Sequence, residues 1–246
     1  MVRVVWASLF KKYATSYPHI FLLEKPLERY TGRELEHCVL RWRRVVLNWV
    51  KEDEAPVRRK LESSEKALKT FLVPGGRWLL VGSMDGLVQC FDLDAPSFIP
   101  AVLVPSQIDP NHYVNHTMAV EIDLEAKLFT FNLALVITTL PRRTALGRLN
   151  SSRKIQVWRV TLDEGDHDGV QGFSSRCLCD FSEDPEGISD CFSISLRGTK
   201  LAYFINHQHT CLYTTIVDWT RVQDSPDVAR QVFMETEQAV RSPAII

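Results

Sequence analysis

The densest set of metal-binding residue types in this sequence is Cys177-x-Cys179 together with His207-x-His209-x-Cys211. Thiolate and imidazole are zinc ligands, taken four at a time in a tetrahedron at about 2.0–2.3 Å. The spacing works against such a site. Residues two apart on a strand share a face, so Cys177 and Cys179 are expected to pack together into a core between sheets. The histidines fall in a hairpin of a different unit. The reading is therefore packed thiols, with no metal and no cofactor.

Nucleophilic chemistry finds equally little support. Ser83 sits in Gly82-Ser83-Met84-Asp85-Gly86, which lacks the glycine-x-serine-x-glycine elbow and precedes no helix. His112, His116 and His167 are expected in loops with acids nearby, a common surface arrangement. Gly75-Gly76 is followed by neither the lysine-serine pair nor the helix of a phosphate-cradling loop. No hydrolase or transferase activity is expected. The candidate partner-binding residues are basic instead: Arg142, Arg143, Arg148, Arg153 and Lys154 crowd one long loop, opposed by Asp163, Glu164, Asp166 and Asp168. Such a loop suits an acidic peptide or phosphopeptide, and a solvated insertion is the competing reading.

The elements that must position these residues change character along the chain. Residues 1–50 read as a helical lead-in. Val5, Trp6, Leu9 and Tyr13 recur at helical spacing, and Thr31 with Glu34 forms a capping box ahead of the stripe Leu35, Cys38, Val39, Trp42, Val46 and Trp49. Pro18 and Pro26 punctuate the interval between, and residues 51–68 read as a charged linker. From residue 69 to residue 246 the period becomes strand-like, and one four-strand plan occurs three times. The first runs from Thr70 through turns at Pro74-Gly75-Gly76 and Asp85-Gly86, a dipeptide suited to a type I′ hairpin, to Ala101–Val104. The second is expected at Met118–Leu124, Leu128–Ile137, Lys154–Thr161 and Arg176–Phe181. The third is expected at Cys191–Leu196, Lys200–Ile205, Cys211–Asp218 and Ala229–Met234.

Repeated up-and-down four-strand units are the layout of propeller blades. The fold class is mainly β: a partial, about three-bladed propeller-like repeat behind a short α-helical segment. The third strands end at Phe91-Asp92, Trp158-Arg159 and Val217-Asp218, the place of the Trp-Asp pair in WD repeats. The units are longer than the roughly 40–45 residues of a regular WD repeat, the excess lying in loops at 138–153 and 162–174. An irregular β-sandwich is the alternative. Trp78, Leu80, Val81, Val136, Val157 and Tyr203 are expected to be buried between the sheets. Unpaired edges on an open ring predict self-association or marginal stability of the isolated chain.

The totals restrict partners further. Twenty-nine basic and thirty acidic residues give a formal net charge of −1, which offers no field for nucleic acid. Lys11 and Lys12 interrupt the apolar start, so no signal peptide is expected. The longest apolar run, Leu128–Ile137, is strand-length and no membrane span is expected. Six scattered cysteines read as reduced core thiols of a cytoplasmic or nuclear protein, and the sequons at Asn115 and Asn150 then carry no weight.

Leu72-Val73-Pro74-Gly75-Gly76-Arg77-Trp78-Leu79-Leu80-Val81-Gly82, with Asp85-Gly86 and Phe91-Asp92-Leu93-Asp94, resembles a family of mushroom F-box proteins. Glu34-Leu35-Glu36, Leu40-Arg41-Trp42 and Asn48-Trp49 resemble its post-F-box helices. The resemblance carries motifs over residues 2–94 and only layout beyond. It implies helices leading into a degenerate β-propeller, and substrate recognition within a Skp–cullin–F-box ubiquitin ligase. Val4-Val5-Trp6-Ala7-Ser8-Leu9 is similar to the tail of an F-box. The family's adaptor-binding helices would lie upstream of it, so the chain is expected to be a truncated paralogue or a partial gene model. A plain scaffold propeller and an enzyme using loop histidines are the alternatives.

Overall fold

A computed structural model describes residues 2–16, 23–48, 67–83, 85–95, 99–106, 113–140, 152–163, 172–183, 189–207, 211–222 and 229–235. Two helices lead, α1 (Val2–Ser16) and α2 (Gly32–Asn48), with a 3-10 turn at Leu27–Arg29 among the described residues between them. The capping box forms as its sequence requires. The Thr31 amide donates to Glu34 Oε2 at 2.6 Å, and the Glu34 amide donates to Thr31 Oγ1 at 3.2 Å, satisfying donors that a helix start leaves orphaned. Leu35 and Val39 are buried and the Trp42 ring lies 4.7 Å from that of Tyr13.

Three four-stranded sheets follow. The first is β1 (Ala67–Leu72), β2 (Trp78–Ser83), β3 (Val88–Asp92) and β4 (Ala101–Val104). The second is β5 (Tyr113–Ile122), β6 (Thr130–Leu140), β7 (Ser152–Leu162) and β8 (Phe173–Glu183). The third is β9 (Ser189–Arg197), β10 (Lys200–His207), β11 (Cys211–Asp218) and β12 (Arg230–Glu235). Each is an antiparallel meander whose spatial order is its sequence order. β1 lies against β5 and β5 against β9, while β4 lies against β8. First strands therefore neighbour first strands and fourth neighbour fourth, the radial arrangement of propeller blades. The ring is open.

The turns explain the meander. Gly75 and Gly76 take positive φ angles of 98° and 73° between β1 and β2, a region closed to most side chains. At the second turn, the Ser83 carbonyl accepts the Gly86 amide at 3.1 Å and the Ser83 amide donates to Leu87 at 2.9 Å. This is a three-residue connection with Gly86 in the left-handed region (φ 81°), not the two-residue I′ turn expected from Asp85-Gly86.

Burial follows strand parity. Phe131, Leu133, Leu135 and Ile137 of β6 join Trp78, Leu80, Val88, Cys90, Val160 and Leu162 in a core between the first and second sheets. The alternate residues Ala134 and Val136 join Ile155, Val157, Leu201, Tyr203 and Val217 between the second and third. The middle sheet is thus covered on both faces, which is why the centre of β6, Leu133 to Ile137, reads as an unbroken apolar run. All six residues expected between the sheets are buried, none more than 5% exposed, but Val81 belongs to neither of these cores. Burying each large apolar side chain is worth about 1.5–3 kcal/mol.

Middle-sheet strands run beyond the expected limits: β5 starts at Tyr113, β6 continues to Leu140 and β7 starts at Ser152. The added rungs pair through their backbones, and the Thr138 hydroxyl has no hydrogen-bond partner among the described residues. Thr138 is 1% exposed, and the Thr139 and Ser152 hydroxyls meet at 2.5 Å. β1 likewise starts at Ala67, inside the expected linker. The remainder of that linker up to residue 66 lies outside the described residues.

Candidate functional site

Only two residues of the expected basic loop, Arg153 and Lys154, are among the described residues. Arg142, Arg143 and Arg148 lie outside the described residues. Arg153 and Lys154 belong to β7, not to a loop. The Arg153 side chain is 2% exposed and its Nη1 donates to Glu183 Oε2 at 3.1 Å; Lys154 Nζ lies 3.0 Å from Asp180. Both partners sit on β8: the register sets Arg153 directly opposite Glu183, while Lys154, opposite Ser182, reaches Asp180 diagonally. Arg153 is therefore an internal counter-ion rather than a partner-binding cation. Glu183 also accepts hydrogen bonds from the Tyr203 hydroxyl and from Arg230. One carboxylate thus gathers β7, β10 and β12 at the joint between the second and third sheets. Burial foremost, then the Glu183 charge, pushes the Tyr203 phenol far above its ordinary range.

Cys177 and Cys179 do not share a face. A bulge in β8 pairs Trp158 with Cys177 but its neighbour Val157 with Cys179. One extra residue reverses strand parity, so Cys179 packs between the second and third sheets while Cys177 is exposed. Burial raises the pKa of Cys179 to about 11, of Cys191 to about 11 and of Cys90 to about 12. His209 lies outside the described residues, and among those described no group of three or more His, Cys, Asp or Glu side chains is placed to hold a metal ion.

His116 is not in a loop either; it lies on β5 and is 1% exposed. Its ring packs on the backbone of Gly82, where a Cβ would fall 2.2 Å from Nε2. Neither ring nitrogen has a hydrogen-bond partner among the described residues. His112 and His167 lie outside the described residues. Ser83 is 2% exposed, its hydroxyl donating to Asp85; it is a turn residue closed to substrate.

The acids and bases that do converge hold the sheets. In the first sheet, Asp92 at the end of the third strand takes a two-pronged bond from Arg77 at 3.0 and 2.7 Å. In the third sheet, Asp218 occupies the same place and pairs with Lys200, at the start of the second strand, at 2.9 Å. In the middle sheet the pair sits elsewhere: Arg159, three residues before the end of β7, reaches Asp123, just after β5, at 2.5 Å. The first and third sheets thus share an acid at the end of the third strand paired with a base at or just before the start of the second, and the middle sheet does not. Burial alone would raise the Asp92 pKa, but the Arg77 hydrogen bonds hold it below the ordinary value.

Arg77 and Trp78 of the proline-glycine-glycine-arginine-tryptophan string have a second partner. Glu24, between α1 and the 3-10 turn, accepts Trp78 Nε1 at 2.9 Å and Arg77 Nη1 at 2.5 Å. Its backbone carbonyl accepts the Phe129 amide of the second sheet at 2.9 Å, and its own amide donates to the Tyr30 hydroxyl at 3.0 Å. The guanidinium also lies over the Trp78 ring, 4.5 Å from its centroid. Beneath, Trp78, Phe129, Phe131 and Phe173 pack at centroid distances of 4.7–6.3 Å. Burial raises the Glu24 pKa, opposed by Arg77 and Trp78. A second tie joins Arg41 of α2 to Asp94 beyond β3. Nothing in the spacing of a lone acid near Pro26 announces this role; only its partners, Arg77 and Trp78, stood out in sequence.

Among the described residues no helix is long and apolar enough to cross a membrane. Compared with known protein families and with curated proteins, the chain finds no match to either.

Proposed function

We propose that this chain is a protein-interaction module without chemistry of its own, acting as the substrate-recognition part of a Skp–cullin–F-box ubiquitin ligase receptor. The observation that carries the reading is how the chain uses its charges. Arg77–Asp92, Asp123–Arg159, Lys200–Asp218 and Arg153–Glu183 each tie strand to strand, so side chains suited to acid–base work serve the scaffold. What such a scaffold offers a partner is surface: strand edges, connecting loops and the outward face of the lead-in. Val4 and Val5 on α1 are 69% and 54% exposed, an apolar spot suited to a protein partner. The resemblance of residues 2–94 to the F-box family supplies the ubiquitin link.

The test is to immobilise the full chain and challenge it with a purified Skp-type adaptor. Saturable retention that is lost on Val4→Glu/Val5→Glu supports the receptor reading. Absence of retention, with the chain folded, leaves a scaffold unconnected with ubiquitin. A specific observation also favours self-association: on the outer strand β12, Val232 and Phe233 are 57% and 51% exposed, and apolar strand edges template pairing. Mass in solution as a function of concentration, for the wild type and Val232→Lys, tests it; a monomer at every concentration refutes it.

A further inference from the structure

We propose that the segment around Glu24 is a strap that couples the helical lead-in to the joint between the first and second sheets, so that the two loosen or tighten together. The coupling rests on shared bonds and is independent of the receptor reading. Glu24 touches three bodies at once. Through its side chain it holds Arg77 and Trp78 of the first sheet at 2.5 and 2.9 Å. Through its carbonyl it holds the amide of Phe129, just before β6 of the second sheet, at 2.9 Å, and through its amide it meets Tyr30 of the lead-in at 3.0 Å.

Each bond has further support on its own side. Tyr30 is 8% exposed, its carbonyl accepts Arg3 of α1 at 2.9 Å, and Lys25 lies over its ring at 4.7 Å while bonding Glu34 of α2 at 2.7 Å. Arg77 is in turn clamped by Asp92. Trp78 and Phe129 both touch Phe173 of β8, on the far side of the joint. Moving the lead-in away therefore strips a charge-assisted acceptor from Arg77, an acceptor from the indole and an acceptor from the Phe129 amide in one step. Partly buried donors left unpaired are costly, so the sheets feel the loss. Linkage makes the coupling reciprocal: a partner that grips the lead-in in its docked form stabilises the joint by the same factor that an intact joint favours the partner.

Hydrogen exchange followed by mass spectrometry on the full chain tests this. Glu24→Gln removes the charge while keeping an amide oxygen, and Trp78→Phe removes the indole donor from the sheet side while keeping the aromatic contact. Each is expected to speed exchange on the order of tenfold or more in residues 23–40 and in 129–133 together. Residues 200–218 of the third sheet should be unchanged. Trp78→Phe also serves should Glu24→Gln fail to fold. Faster exchange in the lead-in alone overturns the proposal, because the helices would then be a pendant. No change anywhere, or an equal rise throughout the chain, overturns it too.

Discussion

Replacing His116 with leucine removes a titratable group that folding holds neutral. The imidazole is 1% exposed, and neither nitrogen has a partner among the described residues. Burial foremost, then the Lys69 charge, lowers its pKa to about 4 from 6.5, with Asp85 pulling the other way. Between those two values the unfolded chain binds a proton that the folded chain refuses. Stability is therefore intact above the unfolded pKa of 6.5, falls as the pH drops, and has fully lost this contribution below about 4. At about 1.4 kcal/mol per pH unit, the gap is worth about 3 kcal/mol, a large share of the 5–15 kcal/mol typical of a domain.

The assay is urea unfolding of wild type and His116→Leu at intervals from pH 8 to pH 4. Carboxylates titrate in both proteins and cancel in the difference. Leucine is close to histidine in volume and leaves no polar atom unpaired, so the two should agree within about 1 kcal/mol at pH 8. By pH 4 the variant should be ahead by about 3 kcal/mol. Parallel curves across the whole range would refute the reasoning, since they would mean that His116 gains its proton as readily folded as unfolded.

Gly82→Ala should destabilise by about 3 kcal/mol, the upper end for overpacking, because its Cβ would fall 2.2 Å from His116 Nε2; combining it with His116→Ala should cost less than the two losses added, measured by urea midpoints. Glu183→Leu strands the buried Arg153 without its carboxylate and should cost about 3–5 kcal/mol, whereas Arg153→Met should cost less because Glu183 keeps Tyr203 and Arg230. Among Cys90, Cys177, Cys179 and Cys191, a thiol reagent should modify Cys177 in the native protein and the others only on unfolding, read by peptide mass; labelling of Cys179 at the same rate would remove the β8 bulge from the account.

Period and turn chemistry made the sheets legible before any coordinates. Four-strand units recur with glycine-marked turns, and β11 at Cys211–Asp218 and β4 at Ala101–Val104 fall where the alternation puts them. What period cannot carry is a change of parity. The Cys177–Cys179 spacing predicts one face, and a single extra residue in β8 separates them by the thickness of a sheet. Nor does residue type carry burial. Arg153 belongs by composition with the arginines before it, yet β7 begins at Ser152 and places it opposite Glu183, thirty residues away, where its charge is used up. His116 reads as a loop histidine within the sequon Asn115-His116-Thr117, and only the extension of β5 back to Tyr113 turns it inward against Gly82. These misreadings share a cause: each residue's role is set by a strand whose end lies beyond the apolar run that announces it. Strand ends here are fixed by neighbours on both faces, through rungs such as Thr138–Arg153 and Thr139–Ser152, and such support is long-range. The candidate site in this chain was therefore bound to be less legible than its fold, because polar residues at strand ends look the same in sequence whether they meet solvent or the next sheet.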